Sequence, residues 1–392
     1  MNGFIGDNDF ERQPQKLLPS SIISIANYYH KIYMKSTSFL LIAGALALAS
    51  CSQDEPVSIS QGHAVSFRPA IGTASRASET TNANLSEINV TAIMGDTTFF
   101  HDLNYTKGSD GFFNSSIPYY WPEDNTPLTF YAYSPSADEL GADFTINSKT
   151  QKLDSYFVDT DIANQKDFIT AVGTGSKKAN EATGLELNFG HRLAQIELRA
   201  KADNPGYNFK VAGMIIGRPQ LGGSYDFAKN EWTLDEWHDT DVLMSYCTPV
   251  DLTSTPVSIM GESGNAMLIP QTLVEWNHTG DPDNAARGAY LSVYVQITTK
   301  DGARVYPVPS DSTIDSRTGK PREYAWAAIP LSGTWEQGKK YVYTLDFSHG
   351  GGYTDPDDPL GPGLPILGDP IKFTTQVSDW DETDIPISYP AK

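Results

Sequence analysis

The chain has 392 residues, 39% of them hydrophobic, which is more than one core usually supports and predicts two domains behind a targeting segment. Its formal net charge of −20, with 28 Lys and Arg scattered along the chain, argues against a nucleic-acid partner. Only two cysteines occur, so no disulfide framework is available, and 32 Gly with 25 Pro favour short strands and turns over helices.

Met34-Lys35 and the apolar run 39–48 have the order of a secretory signal: a positive start, then a segment too short to cross a bilayer. Leu48-Ala49-Ser50-Cys51 reads as a lipobox, whose small residues admit the backbone to a signal peptidase and whose cysteine sulfur takes a diacylglycerol. Polar sequence begins at once with Ser52-Gln53-Asp54-Glu55, which a buried helix ending by chance in a cysteine does not explain. Those four residues are similar to acidic export signals that send lipoproteins of some Gram-negative anaerobes to the outer leaflet of the outer membrane. Residues 1–33 therefore read as a mis-assigned upstream extension with translation starting at Met34, residues 34–50 as the lipoprotein signal peptide, and 51–76 as a propeptide carrying the first strand.

From Gly62 onward no stretch keeps a helical period over three turns. Strands are predicted at 64–67, 87–94, 128–133 and 167–172, each bounded by turn residues. The polar stretch 173–184 precedes strict alternation at 185–189 and 196–200, which places a boundary between an N-terminal β-sandwich over 77–180 and a C-terminal one over 181–349. Residues 290–297 and 304–307 flank Lys300-Asp301-Gly302 as a hairpin, and 340–347 forms another alternating strand. The stretch 350–368 is so rich in Gly, Pro and Asp that 350–370 reads as a linker. Beyond it, 371–392 is a strand-like tail, with Ile371, Phe373, Thr375 and Val377 alternating and Ile385, Ile387 and Tyr389 repeating the pattern.

No chemistry stands out. His349-Gly350-Gly351-Gly352 is similar to a lipase oxyanion loop, but no G-x-S-x-G elbow accompanies it. The seven His have no spacing that pairs two imidazoles on one metal, and the acids around Asp281 and Asp355 are interleaved with prolines. Cys247 has no basic neighbour and reads as a structural thiol, and His191 as a packed histidine with a polar partner. Aromatics such as Trp121 and Trp232 could stack on sugars, yet in sandwiches they more often plug sheet ends. No cofactor, metal or catalytic residue is assigned, and the chain is read as a non-enzyme.

Taken in order, Val65-Ser66-Phe67, Tyr120-Trp121-Pro122, 128–135, Asp167-Phe168-Ile169, Phe189-Gly190-His191-Arg192-Leu193-Ala194, 267–271, 335–341 and Val377-Ser378-Asp379-Trp380 resemble the fimbrillin family, subunits of type V pili. The resemblance runs from the lipobox to Trp380. It implies an all-β fold of two transthyretin-like β-sandwich domains in tandem, lipidation at Cys51, and removal of the N-terminal segment by cleavage after an arginine. Arg76 fits better than Arg68, because Pro69 obstructs proteolysis after Arg68 whereas Arg76 stands among small residues. Removing residues 64–67 would expose a groove of unpaired backbone that a strand from a neighbour can fill, and head-to-tail donation of that kind grows a filament. Ile371, Phe373, Val377, Ile385 and Ile387 are the candidate donor contacts.

The resemblance thus implies a fimbrial subunit at the cell outer membrane, and in the fimbrium after maturation, serving adhesion or biofilm formation. Its expected partners are other pilus subunits, the outer membrane through the lipid on Cys51, and a surface receptor or glycan. The alternatives are a monomeric glycan-binding surface lipoprotein and a pilus anchor or tip subunit.

Overall fold

Short runs of β-branched and aromatic side chains, cut by turn residues at frequent intervals, cannot build long helices but can line the two sides of stacked sheets. A computed structural model of the chain describes residues 62–71, 80–235, 242–280, 284, 287–308, 322–357 and 361–380, all within one unit that spans Val57–Lys392. The first half contributes β1 (Phe67–Ile71), β2 (Glu87–Met94), β3 (Thr97–Lys107), β4 (Phe113–Asn114), β5 (Leu128–Ser134), β6 (Asp143–Ile146), β7 (Gln151–Phe157), β8 (Ile169–Gly175) and β9 (Leu185–His191). The second contributes β10 (Ala194–Lys201), β11 (Tyr207–Gly217), β12 (Gly222–Asp226), β13 (Glu231–Leu234), β14 (Val242–Asp251), β15 (Val257–Ser258), β16 (Ala266–Leu268), β17 (Gln271–Leu273), β18 (Tyr290–Thr299), β19 (Arg304–Tyr306), β20 (Ala325–Pro330), β21 (Gly333–Trp335), β22 (Lys339–Asp346), β23 (Tyr353–Thr354) and β24 (Lys372–Asp379). Among the described residues helix is limited to single turns such as Ala137–Leu140, where Ser136 and Glu139 form a capping box. No helix among them is long and apolar enough to cross a membrane.

The fold is all-β. Strands β1-β4-β3-β2-β5-β8-β9 close on themselves around an apolar interior that includes Phe67, Val90, Tyr105, Phe130 and Leu187. In the second half, a sheet ordered β15-β10-β22-β24 packs over one ordered β14-β11-β18-β20-β23, and Ile196, Leu198, Val293, Val295, Tyr343 and Leu345 fill the space between them. A third sheet, β13-β12-β7-β6, takes one hairpin from each half. Its core is continuous with that of the second half, so Tyr156 and Phe168 share one apolar cluster with Met267 and Trp335. The halves are therefore stitched together rather than strung on a linker. The crossover from one sheet system to the other comes between His191 and Ala194, after β9 has closed the barrel, and not at residue 181.

The described residues of the stretch from Gly350 to Gly368 are held in place. Backbone bonds run from Gly351 N to Leu367 O (3.0 Å), from Ile366 N to Gly352 O (2.9 Å) and from Thr354 N to Leu364 O (2.8 Å), while β23 pairs with β20. Buried Asp355 accepts a 2.6 Å hydrogen bond from the Ser292 hydroxyl, and Arg218 pairs with Asp357 at 2.8 Å. The glycines here serve close approach: a Cβ on Gly350 would lie 1.4 Å from the Asp369 carbonyl oxygen. The tail that follows is β24, an edge strand antiparallel to β22 along its whole length, and not a detached segment.

Candidate functional site

A strand that could be removed and replaced is held firmly on one side and lightly on the other, and β1 is such a strand. All five of its residues pair in parallel with β9, from Phe67 opposite Leu185 to Ile71 opposite Phe189. On its other side it meets β4 only at Phe67 opposite Phe113. The neighbouring residues add Val65 N to Tyr119 O at 2.8 Å and Leu185 N to Ser66 O at 3.0 Å. Val65, Phe67 and Ile71 point into the barrel and are buried. The Phe67 ring stands edge-on to Tyr105 and to Phe130, with centroids 4.8 Å and 5.1 Å away. Burial among these rings pushes the Tyr105 phenol well above the usual tyrosine range. At the far end, Asn82 clamps Ile71 through both of that residue's backbone groups, at 2.8 Å and 2.7 Å.

Arg68 lies inside β1 with its side chain half exposed, 4.0 Å from Glu186 on β9. A cut there would divide the strand, whereas a cut after Arg76 would leave β1 whole on the excised piece. Arg76 and Cys51 lie outside the described residues, as do Ile385 and Ile387.

The other end of the assembly scheme is β24. Ile371 is buried in the core of the second half, and Phe373 and Val377 pack partly against it, with Phe373 6.0 Å from the Tyr343 ring. The three described donor candidates are thus occupied at home, on a strand whose outer edge has no neighbour among the described residues. Lys339 pairs with Asp379 at the strand's end.

Trp380, the last described residue of the tail, is also buried and stacks on the His191 ring at 4.4 Å and 8°. His191 Nδ1 lies 2.9 Å from the Asp167 carboxylate, both side chains being buried. Asp167 is the polar partner that the sequence predicts for this histidine. The structural role of the trio is invisible in sequence, since its members come from β9, the approach to β8 and the end of β24. Trp121 is buried against Phe130, and the partly buried Trp232 on β13 donates its indole N–H to the Arg192 carbonyl at 2.6 Å. Half-buried Cys247 has a thiol pushed up by burial. Among the described residues no three His, Cys, Asp or Glu side chains gather as metal ligands.

A sequence profile described as Fimbrillin-like matches residues 75–380. The chain belongs to the fimbrillin-like family. Fimbrium subunit Fim1C of Phocaeicola vulgatus is 27% identical over 249 residues, covering 54% of this chain and 64% of that protein, so the chain spans a little under two thirds of this curated relative. A crystal structure of a fimbrial protein from Bacteroides vulgatus superimposes with a TM-score of 0.53 at 16% identity, over 80% of this chain and 99% of that one. This likeness shows that the fimbrillin-like chain shares its fold. A candidate cell adhesion protein from Bacteroides ovatus is similar over 83% of this chain and 100% of its own, at 15% identity and a TM-score of 0.47.

Proposed function

We propose that this chain is a fimbrial subunit delivered to the outer membrane as a lipoprotein on Cys51. It assembles with other pilus subunits after cleavage at Arg76, in filaments that serve cell adhesion or biofilm formation. The observation that carries this reading is the seat of β1: a short strand, laddered on one side and barely held on the other, plugs an apolar barrel with Phe67. Its loss leaves the edge of β9 that faced it unpaired and a slot lined by Phe113, Leu187 and Phe189, which a donated strand can fill.

Two segments are candidates for the donor. Giving up β24 requires peeling its eight residues from β22 and withdrawing Ile371, Phe373 and Val377 from the core. Giving up residues 381–392, with Ile385 and Ile387, would leave β24 paired with β22.

The test is maturation of the natural precursor. Wild type should yield a product beginning at Ala77 and detergent-resistant ladders, while Arg76→Ala should stay uncleaved and monomeric. Normal polymerisation of Arg76→Ala sinks the scheme. A second reading is an anchor or tip subunit: β24 packed in its own sandwich favours a tip, because a chain that keeps that strand accepts a donor without giving one, whereas an anchor would keep its lipid and β1 and so offer no open slot. Mass analysis of assembled fimbriae separates the two, since an anchor retains the lipid on Cys51 and a shaft subunit does not.

A further inference from the structure

Four of the sequence segments that carry the family likeness meet at one point. Asp167 precedes β8, His191 ends β9, Gly338 lies in the turn before β22, and Trp380 follows β24. The Trp380 amide donates to the Gly338 carbonyl at 2.9 Å, and the Gly338 amide donates to the Leu193 carbonyl at 3.0 Å, which ties the end of the tail to the crossover between the halves. The Trp380 ring lies flat on His191, whose Nδ1 meets the Asp167 carboxylate at 2.9 Å. The same carboxylate accepts a 2.8 Å hydrogen bond from the amide of Thr80, the first described residue after Arg76. One buried carboxylate therefore holds the place where the described chain resumes after β1 and, through one imidazole, the place where the described tail ends.

We propose that Asp167 and His191 form a latch that couples the two ends of the folded body. Thr80 secured on Asp167 keeps the imidazole in position, and the imidazole keeps Trp380 and the end of β24 docked. A buried hydrogen bond depends on geometry, so shifting the carboxylate to follow Thr80 costs the His191 contact, and the stack on Trp380 with it. Coupling free energies are reciprocal: loosening Trp380 must loosen Thr80 by the factor with which loosening Thr80 frees β24. The latch goes beyond subunit assembly, because it is a property of the single chain and holds whether or not that chain polymerises.

Hydrogen exchange on the full chain, read in peptides over 80–85 and 372–379, tests it without any polymerisation assay. Trp380→Ala should raise exchange at 80–85 about fivefold or more, the lower end of ordinary coupling between sites. Asp167→Asn should raise exchange across β24 by a comparable factor, and Trp380→Phe, which keeps a stacking ring, should restore 80–85 toward wild type. If Trp380→Ala leaves 80–85 at the wild-type rate, the latch is refuted. Should Trp380→Ala fail to fold, Asp167→Asn decides alone, and β24 exchanging in it as in wild type overturns the proposal.

Discussion

Phe67 sits edge-on to Tyr105 at 4.8 Å, with no exposed surface on either ring, and together with buried Val65 and Ile71 it fastens the strand that plugs the barrel. Its neighbours on β1 are Arg68, Pro69 and Ala70, which contribute little to the barrel interior.

Replacing that ring should therefore cost much of the strand's hold. Phe67→Ala is expected to destabilise the uncleaved chain by about 3–5 kcal/mol, the usual range for deleting a buried phenylalanine. Urea unfolding of wild type and variant measures it, and a loss below about 1 kcal/mol would mean that the ladder to β9, not the ring, holds β1.

Arg68→Ala, by contrast, removes an ion pair that is half exposed on both sides, at 4.0 Å. Exposed pairs of this kind contribute about 0–1 kcal/mol, so stability should hardly change and processing should proceed as in wild type. Processing that stops in Arg68→Ala would transfer the cleavage site from Arg76 to Arg68.

Alkaline pH should unfold the chain early. Tyr105, Tyr156 and Tyr343 are all raised well above the ordinary tyrosine value of 10.0, with burial the largest cause in each. A group whose folded pKa lies above its unfolded one gives its full stabilisation below the unfolded value. The unfolded chain then sheds protons that the folded chain keeps, so stability falls as pH climbs past 10.0. Thermal midpoints measured on either side of that value, followed by tyrosinate absorbance, should show ionisation appearing together with unfolding. Ionisation of these rings ahead of unfolding would contradict their burial.

Gly352→Ala tests whether the glycine-rich stretch is a flexible linker or a fitted clasp. Gly352 has φ +76°, and a Cβ there would lie 2.8 Å from the Ala328 carbonyl oxygen. A strained left-handed alanine costs about 1–3 kcal/mol, and trypsin or thermolysin should then cut within 350–368 faster than in wild type. An unchanged digestion pattern would restore the linker reading.

Truncation after Trp380 separates the two donor candidates. If residues 381–392 donate, the shortened subunit is processed normally but adds to no filament, and its monomer keeps wild-type stability. Ladders formed by the truncated chain would assign donation to β24.

The sequence was most legible where alternation was uninterrupted. Residues 87–94 coincide with β2, and the predicted hairpin forms as β18 and β19, although β2 and β18 are buried on both faces and not on the single face that the alternation suggests. The first strand was expected at 64–67 but runs Phe67–Ile71, since Arg68-Pro69 looks like a strand's end, although Pro69 is accommodated opposite Leu187. The stretch 350–368 misleads for a related reason: Gly350 and Gly352 look like freedom in sequence, and in the fold they permit contact. The sheet shared by β6, β7, β12 and β13 and the meeting of Asp167, His191 and Trp380 were illegible, because both depend on residues brought together from distant parts of the chain.

The parallel pairing of β1 with β9 also sets a timetable. A growing chain presents Val65 and Phe67 before a single residue of Leu185–His191 has been made, so the plug exists long before its socket. Antiparallel neighbours such as β2 and β3 can zip as soon as they emerge, whereas β1 must wait with its apolar face bare until the whole first half has been delivered. The interval between those two moments is when a newborn subunit most needs a companion to keep it from pairing with the wrong edge.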